Sequence, residues 1–389
     1  MRILFYRYKN ICERDVLAGF EELGVTVTEL WHTEGKPSDT IRAVTGELQS
    51  APVDLVFSID FFPMVAESCR VLGVRYFCWT VDSPVLTLFA KQVSYDTNRI
   101  FCFDSAQARE TAAFNPGHVF YLPLAAPVNL RQEAVTACKE PERYASRISF
   151  VGSLYEEQCD YDRCSGLPER TAGYLAGLLE AGSHVHGVYL PDLLITEEMA
   201  ADFHRCMQGF PVLPGESFLT DRTVLTQLLM ANKMTAMERR RLIGLLGKRM
   251  GIDVWTGSDT SGMQGVNNRG YANTASEMPA IFAGSAINVN HTMRGIRTGV
   301  SLRVWDILSC GGFCLTDAQA DLKELLPVGE ALAVYSDEQD LIDQVQWYLA
   351  HDEDRREMAA EGLRIVRERH GYPQRLVRML ELGLADAEQ

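Results

Sequence analysis

The sequence predicts an α/β protein built from two doubly wound, Rossmann-like domains facing a cleft, and three observations carry that expectation. The chain has 389 residues, about two to three times a typical domain, so two separate cores are expected. Short apolar runs alternate with helix-like segments in two series, the pattern of parallel sheets covered on both faces. Between the series lies a stretch without periodicity that carries Pro127 and Pro141.

Taken in order, the first series is Ile3 to Tyr6, Val25 to Leu30, Val53 to Ile59, Val74 to Trp79, Ile100 to Phe103 and Val119 to Leu122. Between the first two runs, Glu13 to Leu23 sets Val16, Leu17, Phe20 and Leu23 on one helical stripe, stopped by Gly24. This gives a first domain over residues 1–126 and a linker over 127–146. The second series is Ile148 to Val151, Val185 to Tyr189, Ile252 to Trp255, Ala286 to Val289, Phe313 to Thr316 and Ala331 to Tyr335. It defines a second domain over 147–370. Within that domain, residues 192–249 are rich in helix formers and hold the basic cluster Arg239-Arg240-Arg241, which reads as a helical insertion. Asp337 to Leu382 is amphipathic helix broken near Gly371 and Pro373, leaving 371–389 as a C-terminal helical tail.

Composition removes several function classes. Lys and Arg total 37 against 52 Asp and Glu, a net charge of −15, which repels nucleic-acid backbones and anionic lipid over most of the surface. A local basic pocket for one small anion stays open. Most of the ten cysteines lie in apolar runs, such as Cys78 in Tyr76 to Trp79, and no C-x-x-C occurs. They read as buried thiols of a reducing compartment, with neither a disulfide framework nor a zinc site. No uncharged apolar stretch reaches the roughly 18 residues needed to cross a bilayer. The expectation is a cytoplasmic protein with no membrane insertion.

Ligands of open α/β sheets bind beyond the carboxyl ends of the strands, which directs attention to Arg7, Asp60 and Asp82, then to Gly152, Ser153, Gly257, Asn288 to Arg303, and Asp317. The richest stretch is the Ala286 to His291 strand end, a loop with Arg294, Gly295, Arg297 and Gly299, and a helix opening at Ser301. Backbone N–H groups and guanidinium donors converging at a helix start suit a pyrophosphate. Asp306, further along that helix, is placed to accept from ribose hydroxyls. Asp60 and Asp82 each follow an apolar strand. Each reads either as a catalytic carboxylate or as a helix cap, since Pro63 and Pro84 follow closely.

Other patterns carry less. Asp160-Tyr161-Asp162 is an Asp-x-Asp, but it sits in a polar loop well past its strand; His184-x-His186 has no third ligand; Gly244 to Arg249 lacks the spacing and hydroxyl of a phosphate loop. No G-x-G-x-x-G follows Ile3 to Tyr6, against a nicotinamide enzyme. Tyr271 reads as a packing residue or a nucleobase stack.

Ser301-x-Arg303-x-x-Asp306, followed by Cys310-Gly311-Gly312-Phe313-x-Leu315-x-Asp317, resembles the donor-site signature of GT-B glycosyltransferases, specifically the CgeB-like, spore-maturation-protein-type group. The Asn288-x-Asn290-His291 strand end and Phe150-Val151-Gly152-Ser153 are similar too. So are Asp54 to Pro63, Trp79 to Pro84 and Tyr121 to Ala125 in the first half, and the resemblance spans roughly residues 50 to 380 in order. It implies GT-B architecture and transfer of a sugar from a nucleotide sugar to a hydroxyl of a glycan, protein or small molecule, without metal or other cofactor. The donor would be held by Gly152, Ser153, Asn288, His291, Arg297, Ser301, Arg303 and Asp306. Asp82 and Asp60 become the catalytic candidates. The same resemblance leaves open a nucleotide-sugar 2-epimerase and a non-catalytic nucleotide-sugar-binding protein. Related retaining enzymes often carry a Glu-x7-Glu pair; Thr298 and Asp306 stand there here, so inversion and retention both stay open.

Overall fold

The computed structural model describes residues 1–32, 35–185 and 187–385. It contains two parallel sheets of six strands each. The first sheet comprises β1 (Arg2–Arg7), β2 (Thr26–Trp31), β3 (Leu55–Ile59), β4 (Arg75–Trp79), β5 (Asn98–Cys102) and β6 (Val119–Tyr121), in the order β2-β1-β3-β4-β5-β6. Strands β3 and β5 are buried at every residue, and β1 and β4 at all residues inside their ends. That is why they read as continuous apolar runs instead of alternating ones. On one face Leu4, Tyr6, Val56, Tyr76 and Ile100 pack beneath the Pro63–Leu72 helix. On the other, the Glu13–Glu22 helix packs beside the C-terminal helix Tyr372–Leu384. The approach there is close: a Cβ on Gly383 would come within 2.4 Å of the Phe77 ring, and one on Gly19 within 2.8 Å of Leu376.

The second sheet comprises β7 (Ser146–Val151), β8 (Ile252–Trp255), β9 (Val266–Asn268), β10 (Ser285–Asn290), β11 (Cys314–Asp317) and β12 (Ala333–Tyr335), in the order β12-β11-β10-β7-β8-β9. Ile148, Val254, Ile287 and Leu315 form its core with Leu242, Leu246, Leu341 and Val345 from the Ala231–Met250 and Glu338–Ala350 helices.

The chain divides into two compact units, one of residues 1–125, 212–219 and 370–389, the other of 126–211 and 220–369. Three expectations differ from this. The C-terminal tail closes a face of the first sheet, because its apolar stripe at Leu376 and Met379 is buried there. Residues 212–219, inside the expected insertion, also count with the first unit: Phe218 stacks on Phe114 at 4.4 Å and its N–H donates to the Phe89 carbonyl at 2.7 Å. The expected linker contains a helix, Val128–Ala137, that packs on the Leu302–Ser309 helix, with Gln132 Nε2 donating to the Ser309 carbonyl at 2.7 Å.

One expected strand is missing. The described residues of 185–189 form no strand; Gly187 and Val188 make a bend, with Val185 and Val188 exposed and Gly187 at φ +79°. The left-handed glycine interrupts the run before Pro191 starts a short helix, Leu190–Leu194. The strand beside β7 is β8 instead, reached through the long Ala231–Met250 helix. No described helix is long and apolar enough to cross a membrane.

Candidate active-site residues at two sheet edges

In each sheet the strand order reverses once, and ligands of open α/β sheets bind at that reversal, beyond the carboxyl ends of the two strands that flank it. In the first sheet it falls between β1 and β3, so Tyr8 and Asp60 flank it. In the second it falls between β7 and β10, so Gly152, Ser153 and His291 flank it. The described residues hold three non-glycine residues with positive φ, namely Lys9, Asp60 and Tyr155, and all three lie at these two edges. Such conformations cost about 1–3 kcal/mol each and gather at functional sites.

At the first edge, Asp60 turns the chain at φ +54°. Its Oδ2 accepts from the Tyr8 hydroxyl at 2.6 Å and its Oδ1 from the Val81 N–H at 3.0 Å. Burial, reinforced by the charge of Asp82, pushes the Asp60 carboxyl up to about 7 against the lowering effect of those hydrogen bonds. Burial also raises the carboxyl of Asp82, although the residue as a whole is exposed. Neither aspartate caps a helix. Phe62 occupies the N-cap ahead of Pro63–Leu72, and Val85 stands before the short turn Leu86–Phe89. Tyr8 is fixed by Asn10, whose Nδ2 donates to its hydroxyl at 2.7 Å, and by Glu13, whose Oε1 accepts the Tyr8 N–H at 2.7 Å. Arg7 serves the framework: it pairs with Glu13 and Glu29 and lies 4.1 Å over the Trp31 ring.

At the second edge, Gly152 has φ +152°, which a side chain rarely adopts. The guanidinium of Arg239, from the Ala231–Met250 helix, joins the two flanking strands. Its Nη1 donates to the Ser153 carbonyl at 2.7 Å and its Nη2 to the His291 carbonyl at 2.6 Å, while its plane lies 4.9 Å over Tyr155. His291 is held at both ring nitrogens, Nδ1 2.8 Å from the Tyr335 hydroxyl and Nε2 2.9 Å from Glu238. Burial alone would raise the Glu238 carboxyl; hydrogen bonds and charge from His291 and Arg294 overcome this and hold it at about 2. Glu238 is therefore the buried anion that fixes both His291 and Arg294.

The remaining donor-site candidates divide by exposure. Asn288 is wholly buried and braces three elements: its Nδ2 donates to the Phe282 and Phe313 carbonyls and its Oδ1 accepts from Ser149. Asp306 is also buried, with Arg131 on Oδ1 at 3.0 Å and Arg303 on Oδ2 at 3.4 Å. Ser301 precedes the Leu302–Ser309 helix, and its Oγ accepts from Asn290 at 3.3 Å. Arg303 and Arg297 are partly exposed; Arg303 lies 5.3 Å over the Phe282 ring and Arg297 meets Asp192 at 3.5 Å. Ser153 Oγ accepts the Tyr155 N–H at 2.8 Å.

The weaker patterns resolve individually. Asp160 pairs with Arg163 and Asp162 with Lys233 on the surface, and the described residues hold no cluster of three metal-ligating groups. His184 pairs with Glu180, and His186 lies outside the described residues. Tyr271 is exposed at 78%. Sequence reasoning missed Tyr8, Glu238 and Arg131. Tyr8 follows a strand and could have been found by the strand-end rule that flagged Arg7. Glu238 and Arg131 reach their partners across 53 and 175 residues, and no local signal marks them.

Comparison with known proteins bears on the fold. Residues 227–381 match a family described as "Glycosyl transferase-like", a segment that includes Glu238, Arg239 and the whole β10 loop. No curated protein matches the chain in sequence. Among solved structures, Anabaena HepE in complex with UDP-glucose is similar over 98% of both chains at 10% identity, with a TM-score of 0.52. Sucrose-phosphate synthase from Thermosynechococcus elongatus is similar over 98% of both chains at 11% identity, TM-score 0.53. The alpha,alpha-trehalose-phosphate synthase (UDP-forming) from Burkholderia vietnamiensis covers 99% of this chain and 100% of its own at 13% identity, TM-score 0.52. The fold is that of the GT-B glycosyltransferases.

Proposed function

We propose that this protein is a cytoplasmic glycosyltransferase of the CgeB-like group that moves a sugar from a nucleotide-sugar donor to an acceptor hydroxyl without a metal ion. The observation that carries the reading is the second sheet's reversal point, where the family match, the Arg239 clamp and the partly exposed guanidiniums of Arg297 and Arg303 coincide. In this reading Arg297, Arg303, Ser301 and the following helix start hold the diphosphate and stabilise it as it leaves, a task otherwise given to a divalent cation. Gly152 and Ser153 line the same edge, and His291, Asn288 and Asp306 position it from below the surface. UDP-glucose binding by the similar HepE structure supports a nucleotide sugar as donor.

Asp60 is the general base of this proposal. Its carboxyl is pushed up to about 7, and Tyr8 and the Val81 N–H fix its direction. Asp82 acts on it through charge. One observation favours a second reading, a nucleotide-sugar-binding protein without turnover: Asp306 is occupied by Arg131 and Arg303 instead of standing open. One assay separates the two. The chain is incubated with nucleotide sugars and a panel of glycan, protein and small-molecule acceptors in excess EDTA. Stoichiometric release of nucleoside diphosphate with glycosylated product supports the proposal. Release that needs Mg²⁺ contradicts the metal-independent mechanism, and binding without release favours the second reading.

A further inference from the structure

The opposite edge of the second sheet carries a feature that sugar transfer does not use. A groove of about 710 Å³ opens at the amino-terminal ends of β7 and β10, against the Asp352–Arg369 helix. That volume falls within the range of about 300–1,000 Å³ usual for small-molecule sites. Its floor is kept low by small residues, among them Gly284, Ala286, Gly311 and Ala359. Its charged lining consists of Arg147, Arg355 and Arg356, with no carboxylate among the lining residues. In a chain of net charge −15, three guanidiniums on one small concave surface are a local reversal of sign.

The individual side chains are incompletely satisfied. Arg355 is 13% exposed; its Nη1 donates to the Ala286 carbonyl at 2.9 Å and its Nη2 pairs with Asp352. Its Nε is buried with no hydrogen-bond partner. Asp352 also meets Arg356 at 2.6 Å, so one carboxylate serves two guanidiniums. Arg147 is exposed and has no ion-pair partner among the described residues. The groove thus presents about two uncompensated positive charges and several undirected N–H donors.

We propose that this groove binds a small phosphorylated molecule of about hexose-phosphate size. A phosphate dianion matches the two surplus charges and accepts from several guanidinium donors at once, and the rest of the groove leaves room for an organic body beyond the phosphate. The site lies at the strand starts, at the other edge of the sheet from Arg297 and Arg303, so it is separate from the donor edge.

The test is calorimetric titration of the full chain at fixed ionic strength with inorganic phosphate and with glucose 6-phosphate, comparing wild type with Arg147→Gln/Arg356→Gln. Both replaced residues are exposed and neither holds the fold, which an unchanged melting temperature confirms. The proposal predicts that glucose 6-phosphate binds more tightly than inorganic phosphate, and that the double variant weakens it at least tenfold. A variant that binds like wild type places the anion elsewhere and overturns the proposal. A wild type that binds neither probe, or binds both equally, overturns it as well.

Discussion

A carboxyl held near neutrality serves as a base only when ionised, so the proposed role of Asp60 predicts a rate that depends on pH in a defined direction. With its carboxyl pushed up to about 7, kcat/KM should rise with pH through that region. Replacing the neighbour, Asp82→Asn, removes a repelling charge and should move this acidic limb to lower pH. Stability runs the other way. The folded chain binds the Asp60 proton more tightly than the unfolded chain between pH 3.8 and about 7, so this group's contribution falls as pH rises across that window. Asp60→Asn keeps a side-chain oxygen for the Val81 N–H and carries no charge. It should lower turnover by about 10²-fold or more while melting no lower than wild type at pH 8. A pH–rate profile of the three proteins, with melting curves, checks this; an unshifted limb in Asp82→Asn would remove Asp82 from the account. Both aspartates were legible because each closes an apolar strand. Their ranking was not, since it depends on Tyr8 and Val81, which reach Asp60 only once β1, β3 and β4 lie side by side.

Elements whose residues are buried on both faces were readable, and those shaped by a neighbour were not. The runs at β3 and β5 announce themselves by consecutive apolar residues, Leu55 to Phe57 and Ile100 to Cys102. The edge strand β9, Val-Asn-Asn, is half exposed and carries no such signal. Val185 and Val188 show the converse, apolar residues left exposed where Gly187 and Pro191 break the run. Gly247, part of a sequence with a passing likeness to a phosphate loop, lies inside the Ala231–Met250 helix, and its meaning is steric. A Cβ there would stand 2.6 Å from Val266 and 2.7 Å from the Gln264 carbonyl. Gly247→Ala should therefore push the helix off the turn into β9. A loss of about 1–3 kcal/mol is expected, the scale of overpacking a close contact, read as a lowered midpoint in urea denaturation. An unchanged midpoint would mean that this helix does not fix β9.

Across the whole molecule, acidic charge dominates while arginines gather at two ends of the second sheet. Composition argues against nucleic acid as a partner but could not show where the positive charge would concentrate, because Arg239, Arg297 and Arg303 come from two helices and the loop between β10 and the second of them, which meet only in the folded unit. Nucleoside-diphosphate binding at that edge is the central claim. The most direct measurement is calorimetric titration with a set of nucleoside diphosphates and their sugars, UDP and UDP-glucose included, in EDTA, for wild type, Arg303→Ala and Asp60→Asn. The account predicts that at least one of these ligands binds wild type and Asp60→Asn alike, and that Arg303→Ala weakens it by about 1.5–3 kcal/mol, the scale of a hydrogen bond to a charged group. No binding across the set, or unchanged affinity in a folded Arg303→Ala protein, would contradict it.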